Sequence, residues 1–308
     1  MISKSNKIFL AGHNGMVGSA ILKKLKNLGY KNIICVSKKK LNLLDQKKVE
    51  SFLKKKKPKV VIIAAARVGG ILANNNNKAN FLYENLTIQT NIIHGSFLAG
   101  VKNLIFLGSS CIYPKKTKQP IKESFFMTGP LENTNDAYAI AKITGVKMCM
   151  EYSKQYKLNY KTLMPANMFG ANDNYDLGSS HFFPALIRKI HNAKIRKKKF
   201  ITLWGNGKPK RELLYVEDFA DACVFFMRKK TKESFVNIGS GVEKTIKGFA
   251  QYIMKRLNVN LKIKYDLTKP NGMQRKKLDL SISKKYGWKS KTSLNEAFEK
   301  VYLDYLKN

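Results

Sequence analysis

Residues 7–18 read Lys7-Ile8-Phe9-Leu10-Ala11-Gly12-His13-Asn14-Gly15-Met16-Val17-Gly18. An apolar run that ends in glycine is how a strand buried on both faces of a parallel sheet reads. Ser19–Leu28 follows at once with helical spacing. Gly12, Gly15 and Gly18 therefore fall in a strand–turn–helix unit. Without side chains, the backbone of such a turn can approach a pyrophosphate, and the helix amino terminus offers unpaired N–H groups and partial positive charge. The GxxGxxG spacing is a weak signal alone and a better one in this context, against a glycine turn with no ligand.

Working outward, Asn32–Val36, Lys59–Ala66, Asn103–Ser109 and Tyr160–Met168 read as further strands, and Ala79–Ala99 and Tyr138–Tyr156 as helices between them. Strands alternating with helices of this length imply βαβ units and a doubly wound parallel sheet, the Rossmann α/β class. Past about residue 170 the rhythm changes. Gly170–His181 reads as a loop, His181–His191 as a helix, and Phe200–Leu203, Val236–Ile238 and Leu261–Tyr265 as short strands. The expected organisation is a Rossmann domain over 1–170 and a smaller α+β substrate domain over 171–308, with a segment near 212–240 able to pack back on the first.

The chain has 308 residues, 44% hydrophobic and 25% charged, an ordinary globular balance. No apolar run approaches the roughly 18 residues of a membrane span, and the polar, basic start has no signal-peptide core. Four cysteines (Cys35, Cys111, Cys149, Cys223) without C-x-x-C spacing suit a reducing cytoplasm, and the four scattered histidines argue against a metal site. The net charge of +38 points naively to nucleic acid. Yet 51 of the 58 basic residues are lysine, 7 are arginine, and Asn numbers 27, a pattern of compositional drift on tolerant surfaces. Arginine is the residue that reads bases bidentately, so no specific nucleic-acid partner is expected.

Two further features suggest chemistry. After the second strand stands Val36-Ser37-Lys38-Lys39-Lys40, where an NAD binder would place an acid for the ribose 2′-hydroxyl. Positive charge there suits a 2′-phosphate and favours NADPH, although a generic basic turn is the plainer alternative. Tyr138 and Lys142 lie four apart near a helix start, with Ser109 at a strand end upstream. An ammonium one turn from a phenol lowers its pKa, and a serine hydroxyl can hold a carbonyl oxygen beside it, a set that moves a proton while a hydride moves.

Together these features resemble the extended short-chain dehydrogenase/reductase superfamily. Within it, GHNGMVGSAI (Gly12–Ile21), AARVGGI (Ala65–Ile71), LGSSCIYP (Leu107–Pro114), YAIAK (Tyr138–Lys142), SHFFPAL (Ser180–Leu186) and WGNGKPKRELLYV (Trp204–Val216) resemble the GDP-L-fucose synthase family, the GDP-4-keto-6-deoxy-D-mannose 3,5-epimerase/4-reductases. The resemblance implies an NADP(H)-dependent bifunctional enzyme of nucleotide-sugar biosynthesis, a homodimer, acting on a GDP-sugar. It implies Ser109, Tyr138 and Lys142 as the reductase triad, and Cys111 and His181 as the acid–base pair for epimerisation. Gly12, His13, Asn14, Gly15, Met16, Val17 and Gly18 match the pyrophosphate turn. Lys38, Leu43, Leu107, Gly108, Ser109 and Ser110, then Pro165, Ala166, Asn167 and Met168, match further cofactor positions, as do Lys142 and His181. Lys189, Trp204, Arg211 and Asn271 match positions that hold the GDP portion. Asn14, Lys38, Lys189 and Asn271 depart from the family's Arg, Arg, Arg and Asp. Another NAD(P)-dependent nucleotide-sugar epimerase or reductase is the nearer alternative, and a basic nucleic-acid-binding Rossmann derivative the distant one.

Overall fold

The structure is a computed structural model that describes residues 2–307. The first half of the chain alternates strands and helices: β1 (Ile8–Ala11), α1 (Met16–Asn27), β2 (Ile33–Ile34), α2 (Gln46–Lys56), β3 (Val60–Ile63), α3 (Ile71–Asn76), α4 (Lys78–Leu98), β4 (Asn103–Leu107), α5 (Asp136–Tyr156) and β5 (Asn159–Pro165). The remainder comprises β6 (Asn167–Phe169), α6 (Phe182–Ile195), β7 (Phe200–Trp204), β8 (Lys210–Tyr215), α7 (Val216–Arg228), β9 (Phe235–Ile238), β10 (Glu243–Thr245), α8 (Ile246–Arg256), β11 (Lys262–Asp266), β12 (Arg275–Lys276), α9 (Ser281–Lys285) and α10 (Leu294–Lys307).

Six strands form one parallel sheet in the order β2-β1-β3-β4-β5-β9. Every residue of β1 and β3 is buried, which explains their unbroken apolar sequence: helices cover both faces and leave no solvent side for alternation. The chain order reverses at β1, whose neighbours are β2 and β3, so a crevice opens beyond the carboxyl ends of β1 and β3. There Ala64 N–H donates to Ala11 O at 2.9 Å, and the next turn must pass very close. Gly12 meets that demand. Its φ is +87°, and a Cβ would stand 2.5 Å from the backbone nitrogen of Ala65.

A second sheet of order β10-β8-β12, with β6 also paired to β8, and a two-stranded β11–β7 ribbon lie beyond this layer. The last strand of the large sheet comes from far along the chain: β9 pairs with β5, Thr162 opposite Phe235 to Pro165 opposite Ile238. Asn237, fully buried on β9, locks this strand to the 121–123 segment. Its side-chain amide donates to Ile121 O at 2.9 Å, its backbone N–H donates to Glu123 Oε1 at 2.9 Å, and its Oδ1 accepts from the Tyr113 hydroxyl at 2.6 Å.

Two strand expectations need correction. Tyr160–Met168 is not one strand. β5 stays in the large sheet to Pro165, then Asn167–Phe169 leaves it to pair with Leu213–Tyr215 of β8. The apolar run continues through the break, so the pattern carries no mark of it; the Asn167 side chain secures the switch by donating to Glu212 O at 3.0 Å. Asn32–Val36 yields only Ile33–Ile34, because this edge strand has just Ile8 and Phe9 as partners before the chain peels into the Ser37–Lys40 turn.

The lysine run 54–56 forms the exposed last turn of α2, where positive charge complements the helix dipole. Among the described residues no helix is long and apolar enough to cross a membrane, and no group of three or more His, Cys, Asp or Glu is placed to hold a metal ion.

Candidate active site

A cavity of about 560 Å³, ample for a nucleotide, opens in the crevice between the large sheet and the second sheet. At one end it is floored by Gly15, Met16, Val17 and Gly18. Gly18 lies so close under the turn that a Cβ would meet the Gly12 carbonyl oxygen at 2.0 Å. Gly15 precedes α1 with no side-chain cap, and a Cβ there would meet nothing nearer than 3.7 Å. The first turn of α1 carries no acid. Open, uncapped N–H groups above a tightly nested turn suit a pyrophosphate, so these residues fit a dinucleotide.

Gly108, Ser109, Ser110 and Cys111 line the middle of the cavity with Tyr138, and Pro165, Ala166, Asn167 and Met168 come from the β5–β6 switch. His181 enters from the residue before α6, and Lys189, Trp204, Arg211 and Asn271 line the far end. Seven expected residues do not form the wall. Gly12, His13 and Asn14 lie in or beneath the turn, and Leu107 and Lys142 lie behind it. Lys38 is exposed on the turn after β2, and Leu43 is half-buried with its carbonyl held by Asn91 at 2.9 Å.

Ser109 ends the extended β4 segment, and its Oγ accepts from Cys111 N–H at 3.3 Å, capping the short turn Ser110–Ile112. That cap turns Cys111 into the cavity, where it is only 4% exposed. Burial raises the thiol pKa; the Lys276 ammonium is the largest influence in the other direction, followed by the Ser109 hydrogen bond and Lys142. Loss of hydration within the cavity, and then Lys276, shifts His181 downward, which favours its neutral imidazole.

Tyr138 sits in the first turn of α5 and Lys142 one turn on. The Lys142 ammonium is buried, donates to Leu107 O at 2.8 Å, and lies 4.7 Å from the Phe106 ring centroid and 5.8 Å from that of Tyr138. Burial brings it down to about 8. The expected lowering of the phenol pKa by Lys142 is not what the structure has. Burial and the Cys111 thiol raise Tyr138 well above its ordinary value, against a hydrogen bond with Ser109. The ammonium is directed at the Leu107 carbonyl instead. Tyr138 therefore keeps its proton at neutral pH, the state a proton donor needs.

At the far end Arg211 is wrapped by the loop that follows β11. Its Nη1 donates to Lys210 O at 2.9 Å and Met273 O at 2.6 Å, and its Nη2 to Asn271 O at 3.4 Å. Burial lowers it to about 10, opposed by Glu132. Asn271 Oδ1 accepts from Asn206 N–H at 2.9 Å, which leaves its Nδ2 for a ligand. Lys189 donates to Thr202 O at 3.0 Å and stands 5.4 Å from the Trp204 ring centroid, with Lys269 at 5.8 Å.

Sequence reasoning missed Lys276 and Glu132, both cavity residues, and Asp173, whose buried Oδ2 has no partner in the chain and whose carboxyl is raised to about 7 by burial. No spacing rule marks them; each reaches the site through a loop or a two-residue strand.

A glycine turn at the sheet's switch point, with a serine, tyrosine and lysine set beside it, defines a short-chain dehydrogenase/reductase type of enzyme. The chain belongs to the NAD dependent epimerase/dehydratase family, whose family model matches residues 8–239. It is 47% identical over 308 residues to GDP-L-fucose synthase 1 of Arabidopsis thaliana, covering 100% of this chain and 95% of that one. It is 47% identical to GDP-L-fucose synthase of Sinorhizobium fredii, covering 98% of this chain and 96% of that one. Among solved structures it resembles a GDP-mannoheptose C4 reductase from Campylobacter jejuni with NADP bound, at TM-score 0.90 and 33% identity, covering 99% of this chain and 100% of that one.

Proposed function

We propose that this protein converts GDP-4-keto-6-deoxy-D-mannose to GDP-L-fucose by epimerisation at C3 and C5 followed by NADPH-dependent reduction at C4. The observation that carries the reading is that Cys111 and His181 share one cavity with Ser109 and Tyr138. A plain reductase needs only the latter set with its lysine.

Residues 1–170 together with β9 would hold the dinucleotide, and the remainder the GDP-sugar. The Gly12–Gly18 turn and α1 amino terminus take the pyrophosphate, Lys38 the 2′-phosphate, and Gly108–Ser110 and Pro165–Met168 the rest. When bound, the dinucleotide supplies the hydride that reduces C4. Lys189, Trp204, Arg211 and Asn271 hold the GDP portion, with the two Arg211 donors left over from its loop directed to phosphate.

A 4-keto group acidifies the hydrogens at C3 and C5. Cys111 and His181 exchange those protons, one taking and the other returning from the opposite face. Ser109 hydrogen-bonds the C4 oxygen, and Tyr138 gives it a proton as it becomes an alkoxide. Lys142 fixes the Leu107 carbonyl and so the β4 end that carries Ser109.

A cytoplasmic location and a homodimer complete the reading, the dimer supported by the exposed apolar side chains Tyr83, Ile140 and Tyr156 on the paired helices α4 and α5. The test is incubation with GDP-4-keto-6-deoxymannose and NADPH in D2O. Loss of nicotinamide absorbance with a fucose-configured product deuterated at C3 and C5 supports the proposal. Reduction without deuterium at either carbon refutes the epimerase half.

A further inference from the structure

Lys276 has no part in the reading above, yet it lines the same cavity as Cys111, Tyr138 and His181. It is the second residue of the two-residue strand β12, which pairs in parallel with β8 so that Lys276 stands opposite Arg211. Register partners on neighbouring strands project to the same face, here the cavity, and both residues line it. The preceding residue, Arg275, projects the other way and is tied to Glu243 by two hydrogen bonds of 2.8 Å. Strand register therefore assigns one cation of this pair to a surface ion pair and delivers the other inward.

We infer that Lys276 is a positioning residue whose ammonium, in the same cavity as the buried Cys111 thiol, favours the thiolate that exchanges protons on the sugar. The inference deepens the proposed function, since it rests on Cys111 as one member of the acid–base pair.

The charges around Lys276 come from every side of the cavity. Cys111 faces it from the turn after β4, Arg211 from β8, and Glu132 from the segment before α5. His181 faces it from the start of α6, and Lys142 of α5 reaches the same thiol. Burial lowers Lys276 most and Arg211 adds to that, while the Cys111 thiol and then Glu132 favour its charged form. Glu132 is itself buried, 3.3 Å from the Lys115 ammonium, and its Oε1 accepts from Thr134 Oγ1 at 3.5 Å. Of the groups acting on Cys111, Lys276 opposes burial most. On His181 the same charge adds to the larger effect of burial in disfavouring a second proton. One ammonium thus acts on both members of the pair. Where a cation lies within several ångströms of an acid, its removal shifts the titration by about one unit or more, a factor of about ten in the ionised fraction below the midpoint.

The experiment measures the rate of Cys111 alkylation by iodoacetamide against pH, followed by mass spectrometry of its peptide in the intact, substrate-free enzyme. Lys276→Met is expected to move the midpoint upward and to slow alkylation at pH 7 about tenfold, and Lys276→Arg to restore it to within about threefold. Lys276→Gln gives the same neutral test should the methionine variant not fold. A neutral variant that alkylates with the wild-type pH profile overturns the inference, as does an arginine variant that behaves like the neutral ones. No substrate is used. Failure of the proposed function therefore shows separately, as absent turnover of the GDP-keto-sugar by wild type with the thiol shift intact.

Discussion

Replacing Gly18 with alanine would place a methyl carbon 2.0 Å from the Gly12 carbonyl oxygen, 2.6 Å from its carbonyl carbon and 2.9 Å from His13 Cα. Ordinary contact begins near 3.4 Å, so about 1.4 Å must be found between α1 and the turn. All three obstacles are backbone, and the turn cannot retreat: Gly12 is pressed against Ala65 at what would be 2.5 Å from its own Cβ. Overpacking of this kind costs about 1–3 kcal/mol. In a chain of this size that corresponds to a fall in Tm of about 2–5 °C. Displacing the N–H groups from the pyrophosphate by about an ångström should weaken NADPH by at least about tenfold, or about 1.4 kcal/mol. Gly15→Ala separates the two effects. Its Cβ would meet nothing nearer than 3.7 Å and its φ of −80° suits alanine, so Tm should hold while NADPH weakens, because the methyl occupies ligand space. Calorimetric Tm and titration of nicotinamide fluorescence measure both. A Gly18→Ala enzyme with wild-type Tm and wild-type NADPH affinity would refute the cradle.

Tyr138→Phe should abolish reduction, at least about a hundredfold in kcat, while NADPH still binds, since only the proton donor is lost; a drop below about tenfold rejects Tyr138 as the acid. Cys111→Ser should block deuterium entry at C3 and C5 while hydride transfer remains possible, and normal wash-in would reject Cys111 as a member of the acid–base pair. NADPH should outperform NADH in kcat/KM, with the gap narrowing in Lys38→Ala; equal efficiency in wild type would make the 38–40 lysines a generic basic turn. Asp173 has a folded pKa raised to about 7, so the stability it contributes is full below the ordinary Asp value and is lost as pH rises through about 7. Asp173→Asn should therefore gain in urea midpoint relative to wild type on going from pH 5 to pH 8, and a constant difference would reject the raised carboxyl.

What the sequence disclosed and what it withheld divide along physical lines. β1, β3 and β4 are legible because strands buried on both faces must be apolar throughout, and Gly12 and Gly18 because only glycine survives such close backbone approach. Tyr138 and Lys142 are legible because one helical turn fixes their common face. The split of Tyr160–Met168 is hidden because its two pairing partners, β9 and β8, lie tens of residues away and impose no local pattern. Lys276 is hidden for a related reason. In a chain with 58 basic residues nothing distinguishes the one lysine that β12 register turns inward from its neighbours. The direction of the Tyr138 shift is hidden because spacing reports which face a residue shares and says nothing of how deeply that face is buried.

The return of β9 to the large sheet bears on how such enzymes can be recombined. A fragment ending near residue 170 would lose β9 and bare the edge of β5, whose residues Tyr160–Pro165 are buried in the intact chain. An open, apolar edge of that kind invites pairing between copies and aggregation. It would also strand the Tyr113 hydroxyl and the Ile121 carbonyl, which Asn237 satisfies. A chimera meant to exchange substrate preference with a relative should therefore keep residues 235–238 with the amino-terminal half and splice on both sides of them. A single crossover at residue 170 would pair one parent's β5 with the other parent's β9, and its solubility would depend on whether those two strands still match.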